Sequence, residues 1–525
     1  MESESDLLAR CCNRCNQFIA KPYVVLNSIR AMSTTEIWQE RANKVKPNGA
    51  IFIDGKSMPA VSGKTFEDFS PTLNKSIADI ASGSQEDIDR AVASAKRAFD
   101  SGVWSEMNPR DKKAIMLKWA ELLNENRDEL ALLETLDVGK PISDSLAVDT
   151  RNSARVIQWY AETIDKTYDE IAPAPRNALA MVTREPLGVI GAIVPWNYPM
   201  SITSWKLGPA LAMGNSIVIK PAENSSLTAI RMAELAIEAG LPEGVFNVVP
   251  GLGSEAGQAL AKHMDVAKIA FTGSGPTGRK MLQYAAESNM KQVSLELGGK
   301  SPQVVLSDCT DLKLAAETIG WAIYYNSGQT CNAGSRIIVE KSVKDELFHH
   351  LTEFAKNFKV GNPLNPETMM GPIVSKIQRD RVNSYLDLVG QQKEEVLFGG
   401  QKAEGDNLFI QPTLITNVSN DSRLAQEEIF GPVLVAIEAS DADEALKLAN
   451  QTPYGLAASV WTNNVAKAHK FARSLRAGTV WINTFDALDV ITPFGGFGAS
   501  GTGRDKSLHA LDAYSALKTT WVDLT

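Results

Sequence analysis

Cys331 lies in Asn326-Ser-Gly-Gln-Thr-Cys-Asn-Ala-Gly-Ser335, a small, polar, glycine-flanked run. A thiol that only fills a core has apolar neighbours, so this one reads as presented for reaction, its thiolate a nucleophile. Glu296 stands upstream in Val293-Ser-Leu-Glu-Leu-Gly-Gly-Lys-Ser-Pro302, between apolar strand residues and a glycine pair. Partial burial there raises a carboxyl toward the range of a useful general base. Taken singly, a buried thiol and an ion-paired acid explain the two residues equally well. Gly273-Ser-Gly-Pro-Thr-Gly278 follows an apolar run and opens a helical one, as a dinucleotide-binding turn does, although such turns need glycine for their own geometry. Glu223, at the end of another strand, can accept from both hydroxyls of an adenosine ribose. Its alternative is a solvated loop acid.

These residues hang on a regular alternation. Gly188–Val194 is an apolar run of buried-strand length, stopped by Pro195 and Pro199. A helix over about 203–213, a strand at 216–219, and a helix capped by Ser225 or Ser226 and closed by Gly240 follow. Then come a strand at 245–249, a helix at 254–263, a strand at 266–271 and a helix at 276–286. Strict alternation predicts parallel strands with right-handed crossovers, a doubly wound sheet that binds nucleotides beyond its strand ends. Upstream, Ile88, Val92, Ala95 and Phe99 mark one face of an amphipathic helix, and 110–138 and 146–167 also read as helical.

Composition narrows the partners. A chain of 525 residues, 44% apolar and 22% charged, predicts two or more sub-domains. A net charge of -9 with scattered Lys and Arg gives no footprint for nucleic acid or an anionic membrane, and no apolar run reaches bilayer-spanning length. Small molecules are the expected partners. Five cysteines rule against a disulfide framework. Cys12 and Cys15 have the spacing of half a zinc site, but no second pair follows, so no metal is expected. Cys11 crowds the same segment. Residues 1–45 carry Arg10, Arg14, Lys21 and Arg30 like a transit peptide, against Glu2, Glu4 and Asp6, and read as a disordered or weakly helical extension.

From about residue 50 to the C-terminus the chain resembles the aldehyde dehydrogenase superfamily. The resemblance rests on Pro195-Trp-Asn-Tyr-Pro199, Lys220-Pro-Ala-Glu223, Phe271-Thr-Gly-Ser274, Glu296-Leu-Gly-Gly299, Gly328-Gln-Thr-Cys331, Glu427-Glu-Ile-Phe-Gly-Pro432 and Pro493-Phe-Gly-Gly496, in the family's order. Within it the chain is most similar to gamma-glutamyl-gamma-aminobutyraldehyde and 4-guanidinobutyraldehyde dehydrogenases, notably in Ala131-Leu-Leu-Glu-Thr-Leu-Asp137, Trp205-Lys-Leu-Gly-Pro-Ala-Leu211 and Gly503-Arg-Asp-Lys-Ser-Leu-His-Ala510. The resemblance implies NAD(P)-dependent oxidation of an aldehyde to its acid. Cys331 attacks the carbonyl, Asn197 and the Cys331 N–H hold the oxyanion, and Glu296 activates water against the thioester. A thiolate requires that the Cys331 pKa be held down.

The same matching places the cofactor on Trp196, Lys220, Glu223, Gly273, Ser274, Gly278, Leu297, Glu428 and Phe430. NAD is favoured, because Glu223 repels a ribose phosphate, while Lys220 beside it leaves NADP open. Gly275 stands where the family's usual turn has threonine. The substrate tunnel is expected at Tyr198, Trp205, Trp321, Tyr325 and Phe494, with Asp486, Leu488 and Asp489 nearer its mouth. Such a lining suits an omega-amino-, gamma-glutamylamino- or guanidino-butyraldehyde, the alternatives being ordinary core aromatics with solvated acids, a broad aliphatic aldehyde, or a CoA-acylating semialdehyde reaction, which Glu296 argues against.

The implied α/β fold has a Rossmann-type parallel sheet cofactor domain (46–164 and 187–297), an α/β catalytic domain (298–505) and a small β bridging element (165–186 and 506–525). The exposed edge of that element predicts a homodimer or homotetramer. A cytoplasmic location is expected, or a mitochondrial one if residues 1–45 are a transit peptide.

Overall fold

The structure, a computed structural model, describes residues 35–391 and 393–525; the expectations for the N-terminal cysteines and the transit-peptide signal fall on residues 1–34, outside the described residues.

Two seven-stranded sheets carry the molecule. The first runs in the order Gln292–Glu296, Val266–Thr272, Val189–Ile193, Ser216–Lys220, Phe246–Val248, Ile51–Ile53, Lys56–Met58. Its first five strands are parallel, as the alternation predicts. The last two are an antiparallel addition from far upstream, a short hairpin too brief for its period to be read. From the central Val189–Ile193 the chain first builds outward on one side, then returns to the other. The order therefore reverses between Val189–Ile193 and Val266–Thr272, and the loops after those two strands, with Trp196–Asn197 and Gly273–Ser274, flank the crevice where such sheets bind ligands.

The second sheet runs Glu395–Phe398, Thr413–Thr416, Val433–Ala439, Arg336–Glu340, Pro302–Val305, Ala457–Trp461, Thr479–Ile482, parallel except at its first pair. Glu296 ends the outer strand of the first sheet, and six residues later Pro302 opens a central strand of the second. That short crossing joins the two cores and puts Glu296 at their junction. A third sheet pairs Ser515–Asp523 with Ala178–Pro186, which pairs in turn with Glu170–Ala172, all antiparallel. Ser515–Asp523 is an edge strand with Leu517 and Trp521 exposed.

The helices depart from expectation in instructive places. The stretch 110–138 is two helices, Pro109–Glu125 and Arg127–Val138, broken at Asn126, whose side-chain amide donates to the Leu122 carbonyl (2.8 Å) and satisfies a helix end. The stretch 146–167 opens with a π-helical turn, Ser145–Thr150, before the α-helix Arg151–Thr163. The wide turn carries Asp149 inward to Lys140 (2.7 Å), both side chains fully buried. Pro199–Ala212, rooted at Pro199, is buried almost all round and carries residues of the site.

Candidate active site

Cys331 is set by the loop between Leu312–Tyr324 and Arg336–Glu340. Three successive residues before it are left-handed: Asn326 (φ 49), Ser327 (φ 57) and Gly328 (φ 70). Two bear side chains, a strained arrangement that persists only where neighbours enforce it. They do so here. Asn326 Nδ2 donates to the Asn197 carbonyl (3.1 Å), Ser327 Oγ to the Gly371 carbonyl (2.8 Å), and the Val374 N–H to Gln329 Oε1 (3.0 Å). A Cβ at Gly328 would lie 2.1 Å from the Gly431 carbonyl oxygen, so only glycine passes.

Asn197 is buried and tied to this loop from the other side, its amide donating to the Gln329 carbonyl (2.9 Å). One amide hydrogen remains for a second acceptor. Gly299 packs so closely on the loop that a Cβ would sit 2.9 Å from the Cys331 carbonyl oxygen. Thus the first-sheet loop, the crossing segment and the thiol loop converge. The half-buried thiol is not poised as a thiolate: burial, then Glu428, Glu296 and Asp486, push its pKa up, and only the Asn332 N–H acts against them. The expected depression is absent because the thiol is withdrawn from water and carboxyl groups stand near it.

Glu296 is deeply buried, and burial, reinforced by Asp505, raises its pKa well above the usual carboxylate range, with Lys206 and Arg504 opposing. Neither carboxylate oxygen has a hydrogen-bond partner among the described residues. The group rests on glycine backbone, since a Cβ at Gly495 or Gly503 would come within 2.7 or 2.8 Å of its Oε1. The segment that supplies Asp505 is pinned there by the Thr502 and Gly503 N–H groups donating to the Leu295 carbonyl (3.0 and 2.9 Å). Lys206 and Asp505 form a tight buried ion pair. Sequence reasoning missed this pair. Both lie in segments that carried the family resemblance, but 299 residues separate them and no spacing signals their contact.

The crevice offers a cofactor what it needs. Helix Gly275–Ala286 begins at Ser274, whose hydroxyl meets Thr277 Oγ1 (3.1 Å) and leaves the first-turn N–H groups without a side-chain cap. Its turn lies close on Leu297, 2.8 Å from where a Cβ of Gly278 would be, while a Cβ at Gly275 would meet open space. Gly273 folds over the Phe271 ring. Glu223 accepts from the Gly253 N–H (2.6 Å) and lies 3.3 Å from the buried Lys220 ammonium, which partly offsets its charge. Glu428 sits on Gly298 and Gly299, accepts from the Gly299 N–H (3.1 Å), and is pushed up to about 7 by burial. Phe430 is left-handed (φ 61), held by Gln378 Nε2 donating to its carbonyl (2.8 Å), and its ring meets Trp196 edge-on at 5.3 Å. These residues fit a dinucleotide: uncapped helix N–H groups for phosphates, carboxylates for ribose hydroxyls, and an aromatic pair for a flat ring.

Of the expected tunnel residues, Trp205 and Phe494 meet at 5.4 Å. The Tyr198 hydroxyl shares a hydrogen bond with Thr330 (2.9 Å), and the Lys140 ammonium lies 3.9 Å over its ring. Tyr325 is deeply enclosed with its hydroxyl unpartnered among the described residues, in the field of Asp144, Tyr198 and Asp486. Trp321 packs instead edge-on against Phe358 (4.9 Å) and Phe354 (6.0 Å). Leu488 joins the Trp481–Phe485 cluster. Asp486 is exposed on the chain's surface and accepts from Asn332 Nδ2 (2.7 Å); Asp489 is ion-paired with Arg155 (2.7 Å). Both acids therefore have partners of their own. Asn332, Arg155, Thr330 and Lys506, which lies over the Trp205 and Phe494 rings, were not foreseen.

Comparison with known proteins identifies the family. A model described as the aldehyde dehydrogenase family matches residues 58–520. The NADP/NAD-dependent aldehyde dehydrogenase PuuC of Escherichia coli (strain K12) is 48% identical over 93% of this chain and 98% of its own length. An indole-3-acetaldehyde dehydrogenase solved with NAD+ superposes with a TM-score of 0.93 at 51% identity, covering 94% of this chain and all of that one. A gamma-glutamyl-gamma-aminobutyraldehyde dehydrogenase from Burkholderia cenocepacia J2315 superposes at 0.92 with 50% identity and the same coverage.

Proposed function

The chain belongs to the aldehyde dehydrogenase family and oxidises aldehydes with NAD; from that premise we propose that Cys331, Asn197 and Glu296 carry the reaction and that its substrates are butyraldehyde-sized aldehydes with a nitrogen at the far end. The observation that supports the residue roles most is convergence: Asn197 is tied to the Cys331 loop, while the segment running from Glu296 packs on it.

Cys331 attacks the aldehyde carbon to form a thiohemiacetal. Its oxyanion accepts hydrogen bonds from the free N–H of the Asn197 amide and from the Cys331 backbone N–H. Donors fixed before the reaction are worth about 3–4 kcal/mol each in such sites. NAD, when bound, would supply the acceptor for the hydride. Trp196 and Phe430 would hold the flat ring, Glu428 would accept from one ribose, and Lys220 with Glu223 would hold the other. Collapse of the oxyanion breaks the C–H bond, with the hydride leaving to the acceptor that NAD would provide, and leaves a thioester on Cys331. Glu296, unpartnered and held above the usual carboxylate range by burial, then takes a proton from water, which releases the acid.

The substrate class rests on the likeness to the Burkholderia enzyme named for gamma-glutamyl-gamma-aminobutyraldehyde and on the aromatic lining at Tyr198, Trp205 and Phe494. The pairing of Lys220 with Glu223 favours NAD while tolerating NADP. We assign 46–164 and 187–297 to cofactor binding, 298–505 to catalysis, and 165–186 with 506–525 to bridging. The exposed edge Ser515–Asp523, with Leu517 and Trp521, is suited to pairing with a second copy in a dimer or tetramer. Among the described residues no helix is long and apolar enough to cross a membrane, and a free nucleophilic thiol suits a reducing compartment, the cytoplasm. A steady-state panel of nitrogen-bearing aldehydes against hexanal, with both cofactors, tests the substrate class; equal kcat/KM values across the panel would refute it.

A further inference from the structure

Lys506 immediately follows the Asp505 that pairs with Lys206, and its ammonium lies 5.1 Å from the centre of the Trp205 ring and 5.5 Å from that of Phe494. Its backbone is left-handed (φ 63), as is that of Ser507 (φ 54). Two adjacent side-chain-bearing residues in that region are costly unless held. Phe494 and Asp505 exchange both backbone hydrogen bonds (2.8 Å each), the Ser507 N–H donates to the Val490 carbonyl (2.7 Å), and the Tyr160 hydroxyl donates to the Ser507 carbonyl (3.2 Å). The strained turn is thus clamped, and it fixes where the lysine stem leaves the chain.

The residue is 3% exposed, yet its ammonium makes no hydrogen bond or ion pair among the described residues. Ring faces replace only part of the hydration that three N–H donors give up. Burial pulls its pKa down to about 8, against the fields of Asp486, Asp489, Asp505 and the Cys331 sulfur. The three acids are each engaged elsewhere: Asp486 with Asn332, Asp489 with Arg155 and Asp505 with Lys206. Lys506 is therefore a donor beside the aromatic pair, in the field of the nucleophile, with no acceptor of its own among the described residues.

We propose that Lys506 reads the far end of the substrate by donating a hydrogen bond to an acyl oxygen a few bonds beyond the aldehyde, so that nitrogen-bearing aldehydes with an acylated nitrogen are preferred to those ending in a free cation. The inference rests on the substrate class proposed above and divides it. An amide oxygen supplies the missing acceptor. A free ammonium or guanidinium on the same rings would face a like charge at close range in a poorly screened site. Lys506 is a specificity residue in this scheme and takes no part in bond making.

The test compares 4-acetamidobutanal, 4-guanidinobutyraldehyde and hexanal on the full chain with NAD, for wild type, Lys506→Met and Lys506→Arg. In Lys506→Met the ratio of kcat/KM for the acetamido aldehyde to that for hexanal falls by about tenfold or more, as for loss of a hydrogen bond to a charged group. The fall is carried by KM for the amide, the ratio for the guanidino aldehyde rises, and Lys506→Arg restores the amide preference. An unchanged amide-to-hexanal ratio, or an equal loss on all three aldehydes, overturns the proposal. Should the methionine variant fail to fold, wild type decides alone: KM for the acetamido aldehyde rises above about pH 8 as Lys506 loses its proton, and KM for hexanal does not. Parallel profiles overturn the proposal. A wild-type enzyme with no preference for either nitrogen-bearing aldehyde over hexanal refutes the substrate class itself, a result read before any variant is made.

Discussion

Removing either member of the Lys206–Asp505 pair is expected to shift the pH dependence of turnover in opposite directions. Lys206 lowers the Glu296 pKa and Asp505 raises it. Lys206, Asp505 and Glu296 are 1%, 4% and 4% exposed, so water screens them little. A buried neighbouring charge commonly moves a carboxyl by about one to three pH units, each a factor of ten in ionised fraction below the pKa. Glu296 must be ionised to act as base, so turnover rises with pH through its pKa. Lys206→Met leaves only Arg504 to oppose Asp505 at Glu296, moves the rise in kcat to higher pH by about one unit or more, and lowers kcat about tenfold on the acid side. Asp505→Asn moves the rise to lower pH. Each single change strands a buried charge at a cost of about 3–5 kcal/mol, and the double variant recovers part of it. Stopped-flow NADH formation separates the steps: hydride transfer precedes water activation, so Lys206→Met keeps the burst and slows the steady state. The reasoning fails if both single variants shift the profile the same way, or if burst and steady state fall together with the profile unmoved.

Glu296→Gln should give one fast burst of NADH per site and then stall, and a normal steady-state rate would remove Glu296 from the mechanism. Cys331→Ser should retain NAD binding by fluorescence titration and lose essentially all oxidation. Asn197→Ala should lower kcat by about 100- to 1,000-fold, as for loss of one oxyanion donor; a change confined to KM would mean that Asn197 positions the loop without touching the oxyanion. Asp149→Ala strands the fully buried Lys140 ammonium and should destabilise the fold by about 3–5 kcal/mol in urea titration, with a lower midpoint and an unchanged slope.

Local sequence was enough to single out the candidate reacting groups, and the family resemblance gave them roles. Cys331 in its glycine-flanked polar run, Glu296 before Gly298 and Gly299, and the turn at Gly273–Gly278 are each short segments whose chemistry follows from neighbours in the chain. Four of the five parallel strands were legible for the same reason, because a buried parallel strand is a near-continuous apolar run between turn residues, whereas the edge strand Gln292–Glu296 is not such a run. The hairpin at 51–58 was too short to announce itself, and the break at Asn126 interrupts a periodicity that continues on both sides. The charge environment was not legible at all. Whether a carboxyl or thiol is raised or lowered depends on what faces it across the junction of two sheets, and those partners lie tens to hundreds of residues away. Thus the sequence marked Cys331 as the candidate nucleophile, while the tertiary structure decided that burial and carboxyl groups surround it. It likewise paired Asp489 with Arg155 and brought Lys206 to Asp505. Burial removes water and makes each such pairing strong, and burial belongs to the assembled fold.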